Sequence, residues 1–109
     1  MSEKLEESLK SFLKSGKNWE RKPTTIPGVF VLKLPAYRTS PQRLAVELNP
    51  VDSSGRPTKR RGLVLRSFSE LGEFKQLINE GKLEELLKAV DRVNPAEVKR
   101  IKEEEAIEI

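Results

Sequence analysis

The stretch Arg43–Arg66, RLAVELNPVDSSGRPTKRRGLVLR, decides how this chain folds. Its two arms alternate apolar and polar residues. Leu44, Val46 and Leu48 point one way on the first arm, and Leu63 and Leu65 point one way on the second. Between them, Asn49-Pro50 and Ser53-Ser54-Gly55-Arg56-Pro57 are turn chemistry, so the arms form a long-looped antiparallel hairpin. The loop ends in Lys59-Arg60-Arg61, three adjacent cations at the root of the second strand.

Val29–Leu34, VFVLKL, reads as a further strand, entered through a Pro27-Gly28 turn and ended by Pro35. One side of it holds Phe30, Leu32 and Leu34, the other Val29, Val31 and Lys33. Before it, Lys17–Lys22, KNWERK, carries the sole Trp of the chain, and Pro23 and Pro27 confine any strand here to an edge. Trp19 and Arg21 would then share a face. Tyr37-Arg38 falls in a loop before Pro41, where the pair suits stacking on a nucleotide and neutralising it. Packing of a rim Tyr on its own loop is the plain alternative.

Both ends of the chain are helical in pattern. Ser2–Lys14 places Leu5, Leu9, Phe12 and Leu13 on one face, with Ser2 as cap and Gly16 suited to a left-handed position after the end. Ser67-Phe68-Ser69-Glu70 matches a capping box, opening a helix with the stripe Leu71, Phe74, Leu77 and Ile78. Gly81 is expected to close it. Leu83, Leu86, Leu87, Val90 and Val93 make a second stripe, and the short break implies two helices packed closely together. Asn94-Pro95 restarts a third, weaker helix over Ala96–Glu105, and Ala106–Ile109 alternates like a strand.

The fold expected is α+β: an antiparallel sheet of three to four strands with helices packed on one face. One helix is N-terminal and two to three are C-terminal. Residues 1–95 would form the domain, and 96–109 a short extension able to support oligomerisation. Phe30, Leu32, Leu34, Leu44, Val46, Leu48, Leu63 and Leu65 are expected to meet the helices.

Composition narrows function. The 109 residues contain no Cys and no His, which removes the usual zinc sites, disulfides, thiol nucleophiles and His-based acid–base catalysis. SGRPTKRRG lacks the spacing of a phosphate-binding P-loop. Asp52-Ser53 has no base nearby to complete a triad. The Glu pairs at 6–7 and 84–85 lie on charged helix faces. No catalytic residue, metal or cofactor is expected. No apolar run reaches the roughly 20 residues of a membrane span, so a soluble, cytoplasmic protein is expected.

The net charge of +4 is unevenly spread. Residues 1–13 carry −1, residues 14–66 carry +9 and residues 67–109 carry −4. A positive middle between negative ends points to a polyanion or an acidic partner. Taking the strand residues that alternate with the apolar row, the sheet's other face would hold Trp19, Arg21, Val29, Val31, Lys33, Arg43, Ala45, Glu47, Val64 and Arg66. Such a floor of rings and aliphatic groups rimmed by cations suits unpaired bases and phosphates. The residues expected to bind nucleic acid are Trp19, Arg21, Val31, Lys33, Tyr37, Arg38, Arg43, Lys59, Arg60, Arg61, Val64 and Arg66. Single-stranded DNA is the expected ligand, with RNA equally open. In the alternative, the chain is a protein–protein scaffold whose basic region meets an acidic partner.

WERKP (Trp19–Pro23), PGVFVLKLP (Pro27–Pro35), RLAVELNPVDSSGRPTKRRGLVL (Arg43–Leu65) and the helices ending in VNP (Val93–Pro95) together resemble the ThermoDBP-related proteins. These share the N-terminal DNA-binding domain of ThermoDBP, a single-stranded-DNA-binding protein of some hyperthermophilic archaea. The resemblance covers about residues 1–95. It implies a cleft with a hydrophobic floor and basic flanks, binding single strands with little sequence preference, and a homo-oligomer. Pro95–Ile109 departs from the resemblance: it is too short and too poor in apolar heptads for the long C-terminal coiled coil of ThermoDBP, so none is expected from these residues.

Overall fold

A computed structural model describes residues 2–95 of the chain. Among these, the residues up to Phe74 make one compact unit and those from Lys75 onward belong to another. The elements run α1 (Ser2–Ser15), β1 (Arg21–Pro23), β2 (Val29–Leu34), β3 (Arg43–Leu48), β4 (Leu63–Leu65), α2 (Phe68–Ile78) and α3 (Gly81–Val93). The four strands form one antiparallel sheet in the order β1-β2-β3-β4, so each strand pairs with its neighbour in sequence. The α+β architecture, with one N-terminal and two C-terminal helices among the described residues, is the one expected. The third helix and the alternating tail lie outside the described residues.

The turns follow their residues. Val29 N–H donates to the Ile26 carbonyl across Pro27-Gly28, and Gly28 has φ +91°, which is a type II turn with Gly where positive φ is required. The β3–β4 loop is a smaller hairpin in its own right. Thr58 N–H donates to Pro50 O and Asp52 N–H to Arg56 O. At its tip the Asp52 carboxylate accepts from Ser54 N–H, Ser54 Oγ and Arg56 N–H, holding that carboxyl below its usual range.

The pairing register corrects one expectation. Val31 lies opposite Val46 and Leu32 opposite Ala45, while Val46 lies opposite Leu65 and Glu47 opposite Val64. Residues directly opposite share a face. One face therefore carries Val29, Val31, Lys33, Leu44, Val46, Leu48, Leu63 and Leu65. The other carries Phe30, Leu32, Leu34, Arg43, Ala45, Glu47 and Val64, with Arg21 from β1. The grouping within β3 and β4 is as expected, but β2 is turned over. Alternation fixes sides within a strand, whereas one residue of slip between strands exchanges them all.

The first face meets helices. Leu5 and Leu9 of α1, with Phe68 and Leu71 of α2, wall an apolar groove of about 510 Å³ floored by Val29, Val31, Leu44, Val46 and Leu65. Lys33, buried at 3% exposure, donates its ammonium to Gly16 O at 2.9 Å, where it complements the C-terminal end of α1. Gly16 is not left-handed as expected. Its lack of a side chain matters instead because a Cβ there would stand 2.6 Å from the Phe12 ring. The second face holds the tighter apolar cluster, Leu32, Leu34 and Ala45 with Val64 packed on it.

The capping box of α2 forms with a shifted reach. Ser67 Oγ accepts from Glu70 N–H, and Glu70 accepts from Arg66 N–H, one residue before the cap. Gly81 does not close α2; it opens α3, whose cap Glu80 accepts from Lys82 N–H. Neither α2 nor α3 buries a residue.

At Gly62, a Cβ would collide with the Leu48 carbonyl and lie 2.9 Å from the Asn49 side chain. Gly62→Ala is expected to cost about 2 kcal/mol or more and to lower the thermal midpoint by roughly 10 °C, read by circular dichroism.

Candidate nucleic-acid interface

The second sheet face is where the cations and rings collect. β1 begins at Arg21, and the residues before it extend the ladder: Trp19 N–H donates to Lys33 O at 2.7 Å, and Lys33 N–H to Glu20 O at 3.1 Å. Trp19 takes φ +67°, a left-handed conformation that costs a non-glycine residue roughly 1–2 kcal/mol. Glu20 supports the bend by accepting from Lys17 N–H at 2.8 Å. The bend leaves the indole 48% exposed beside Leu32 and Leu34.

Two hollows flank Trp19. One, of about 390 Å³, is lined by Trp19, Leu34, Pro35, Tyr37, Ser40, Arg43 and Arg66. The other, of about 200 Å³, is lined by Trp19, Arg21, Leu32, Glu47, Arg60 and Arg61. Each of the two rings carries an arginine on its face. The Arg61 guanidinium sits 4.6 Å from the Trp19 ring centroid and that of Arg38 5.1 Å from Tyr37. Tyr37 and Ser40 exchange both backbone hydrogen bonds, and Arg38 between them has φ +53°. That tight turn presents Tyr37 at 65% exposure.

Beneath the cationic loop lies a buried carboxylate. Glu47 is 0% exposed and accepts from Arg21 Nε at 2.6 Å and Arg21 Nη2 at 3.0 Å. It also accepts from Asn49 Nδ2 at 3.2 Å and Gly62 N–H at 2.7 Å. Arg21 Nη2 reaches on to Arg60 O at 2.9 Å. The Asn49 amide closes a ring with Lys59, accepting from its N–H at 3.1 Å and donating to its carbonyl at 2.8 Å. Burial alone would push the Glu47 carboxyl up. The hydrogen bonds from Arg21, Gly62 and Asn49, with the Arg21 charge, outweigh burial and hold it below the ordinary Glu value.

The structure thus brings together Trp19, Arg21, Tyr37, Arg43, Arg60, Arg61, Val64 and Arg66 on or around one face. Arg38 joins them through Tyr37, and Lys59 through the backbone of its loop. Val31 and Lys33 are on the opposite face, so neither belongs to the surface for which it was expected. Arg21 is on the expected face, and its Nε and Nη2 are engaged by Glu47 and the Arg60 carbonyl. Val64 is half-buried against the apolar cluster. Glu47 and Asn49 were missed as organisers of the site. The alternation of β3 left Glu47 on an assumed open face, and only the proximity of Arg21, 26 residues away in sequence, reveals its part.

Among the described residues there is no cluster of three or more acidic, His or Cys side chains able to hold a metal. No described helix is long and apolar enough to cross a membrane. No protein-family model, curated protein or solved structure matches the chain.

The Glu47 cluster makes stability depend on acid in a defined direction. A carboxyl held down in the folded state contributes stability that is full above the ordinary value of 4.5 and is lost as pH falls through the native one. The thermal midpoint should hold steady between about pH 7 and pH 5, then drop below about pH 4. Calorimetry across that range tests it.

Proposed function

We propose that this chain binds single-stranded nucleic acid, DNA in the first instance, through the Trp19–Tyr37 face, with little dependence on sequence. One observation carries the reading. Two exposed rings, each with an arginine on it, line one groove with Arg43 and Arg66, while the sheet's buried carboxylate, Glu47, is already neutralised by Arg21. Unpaired bases stack on rings or on guanidinium planes, at about 1–3 kcal/mol per base for aromatic stacking, and the surrounding cations take the phosphates. A duplex meets the same cations but keeps its base faces closed, so the groove favours single strands. The resemblance to the ThermoDBP-related proteins points to the same ligand.

In titrations with oligo-dT, quenching of the sole Trp that weakens with salt is expected, and duplex of equal length should quench less. Arg43→Glu combined with Arg66→Glu leaves the Glu47 cluster untouched. It should weaken oligo-dT binding by about 100-fold at low salt and flatten the salt dependence by roughly two phosphate contacts. Unchanged anisotropy titrations for that double variant would sink the reading.

A second feature bears on assembly. Leu86, Leu87, Val90 and Val93 on α3 are all exposed, an apolar stripe at helical spacing on a helix that buries none of its residues. It favours the homo-oligomer that the resemblance implies, and also the alternative in which the chain is a scaffold. Leu86→Glu with Val90→Glu is expected to reduce the mass measured by light scattering to that of the single chain. An unaltered mass would remove α3 from the interface.

A further inference from the structure

We infer that Glu47 is the positioning residue of the polyanion surface: a buried negative charge whose presence strengthens the binding of a negative ligand. The inference rests on the reading of this face as a nucleic-acid surface and deepens it. Three points of the cationic loop, at Lys59, Arg60 and Gly62, are held from beneath by backbone contacts. Asn49 clasps Lys59 through both its N–H and its carbonyl, Arg21 holds the Arg60 carbonyl, and Glu47 holds the Gly62 N–H. Glu47 in turn fixes Arg21 through two hydrogen bonds and Asn49 through one. With the backbone anchored inward, the side chains of Lys59, Arg60 and Arg61 remain exposed, and Arg61 lies on Trp19. The charge of Glu47 is spent on Arg21 inside the fold, so the ligand meets the loop and not the carboxylate. Arg21 is accordingly a positioning residue as well.

This arrangement reverses the sign that simple electrostatics gives. Glu47→Gln removes a negative charge from beside a basic surface, and by charge alone it should tighten the binding of an anionic strand. By positioning, it leaves Arg21 without its carboxylate and the loop without its anchor, so binding weakens. Arg21→Lys makes the same distinction at constant net charge. A lysine keeps the positive charge but lacks the planar fork that reaches Glu47 and the Arg60 carbonyl together.

The experiment measures oligo-dT affinity by anisotropy for the full chain and both variants, well below their thermal midpoints, with amide hydrogen exchange at Lys59 and Gly62 in the free proteins. Weakening of about tenfold in both variants, with faster exchange at those two amides and unchanged exchange across β2 and β3, is the expected result. A purely structural role would lower the midpoint and leave the affinity of the folded protein alone, which overturns the inference. Equal or tighter binding in both variants overturns it too. Should Glu47→Gln fail to fold, Arg21→Lys decides by the same readings. Should the wild-type chain itself not bind oligo-dT, the nucleic-acid reading fails separately. The positioning of the loop is then judged on exchange alone, and unchanged protection at Lys59 and Gly62 in the variants refutes it.

Discussion

The carboxylate of Glu47 is the constraint on which the functional face depends. A charge with no exposure to solvent is tolerated only when every acceptor site is answered. Here the answers come from three separated parts of the chain: Arg21 on the edge strand, Asn49 just after β3, and the backbone of Gly62 at the entry to β4. Removing a donor would leave the buried carboxylate under-satisfied, so the cluster holds these segments in one relative arrangement. The neighbouring Leu32, Leu34 and Ala45 supply the dry surroundings that make those hydrogen bonds count.

The two sheet faces divide the work. On one, aliphatic side chains from three strands meet α1 and the start of α2, and the cation that strays there, Lys33, is absorbed by the end of a helix. On the other, a thin apolar layer is topped by rings and arginines. The arginines cover hydrocarbon with their stems while presenting charge outward, so this face is closed to water at its base and open to a ligand at its rim.

Much of this was legible in the sequence. The alternation of VFVLKL, RLAVEL and LVL marked three strands, Pro-Gly and Ser-Ser-Gly marked turns, and Ser67 to Glu70 marked a helix start. The cationic run and the rings were recognisable as a surface for anions because their chemistry does not depend on register. What could not be read was relative phase. Nothing local to Pro35–Gln42 shows how many residues its small Tyr37–Ser40 turn consumes, and that count decides which side of β2 faces the helices. Trp19 was similarly opaque, since a left-handed Trp is set by the ladder bond to Lys33 and not by its own preference. Glu47 looked like a solvated residue because burial of a carboxylate is decided by distant partners.

The nearest-neighbour order of the strands has a consequence for how the molecule comes together. Each pairing joins segments adjacent in sequence, so the chain closes only local connections to build the sheet, a route that favours rapid folding. Arg21 and Glu47 lie on strands that are not neighbours, with β2 between them. Their pairing therefore requires β1, β2 and β3 to be aligned already, and Gly62 must have arrived with β4. The ion pair works as a register check, satisfied only when all four strands have found their places. A chain that slipped by one residue during assembly would bring Glu47 to the wrong face and leave its charge without a partner.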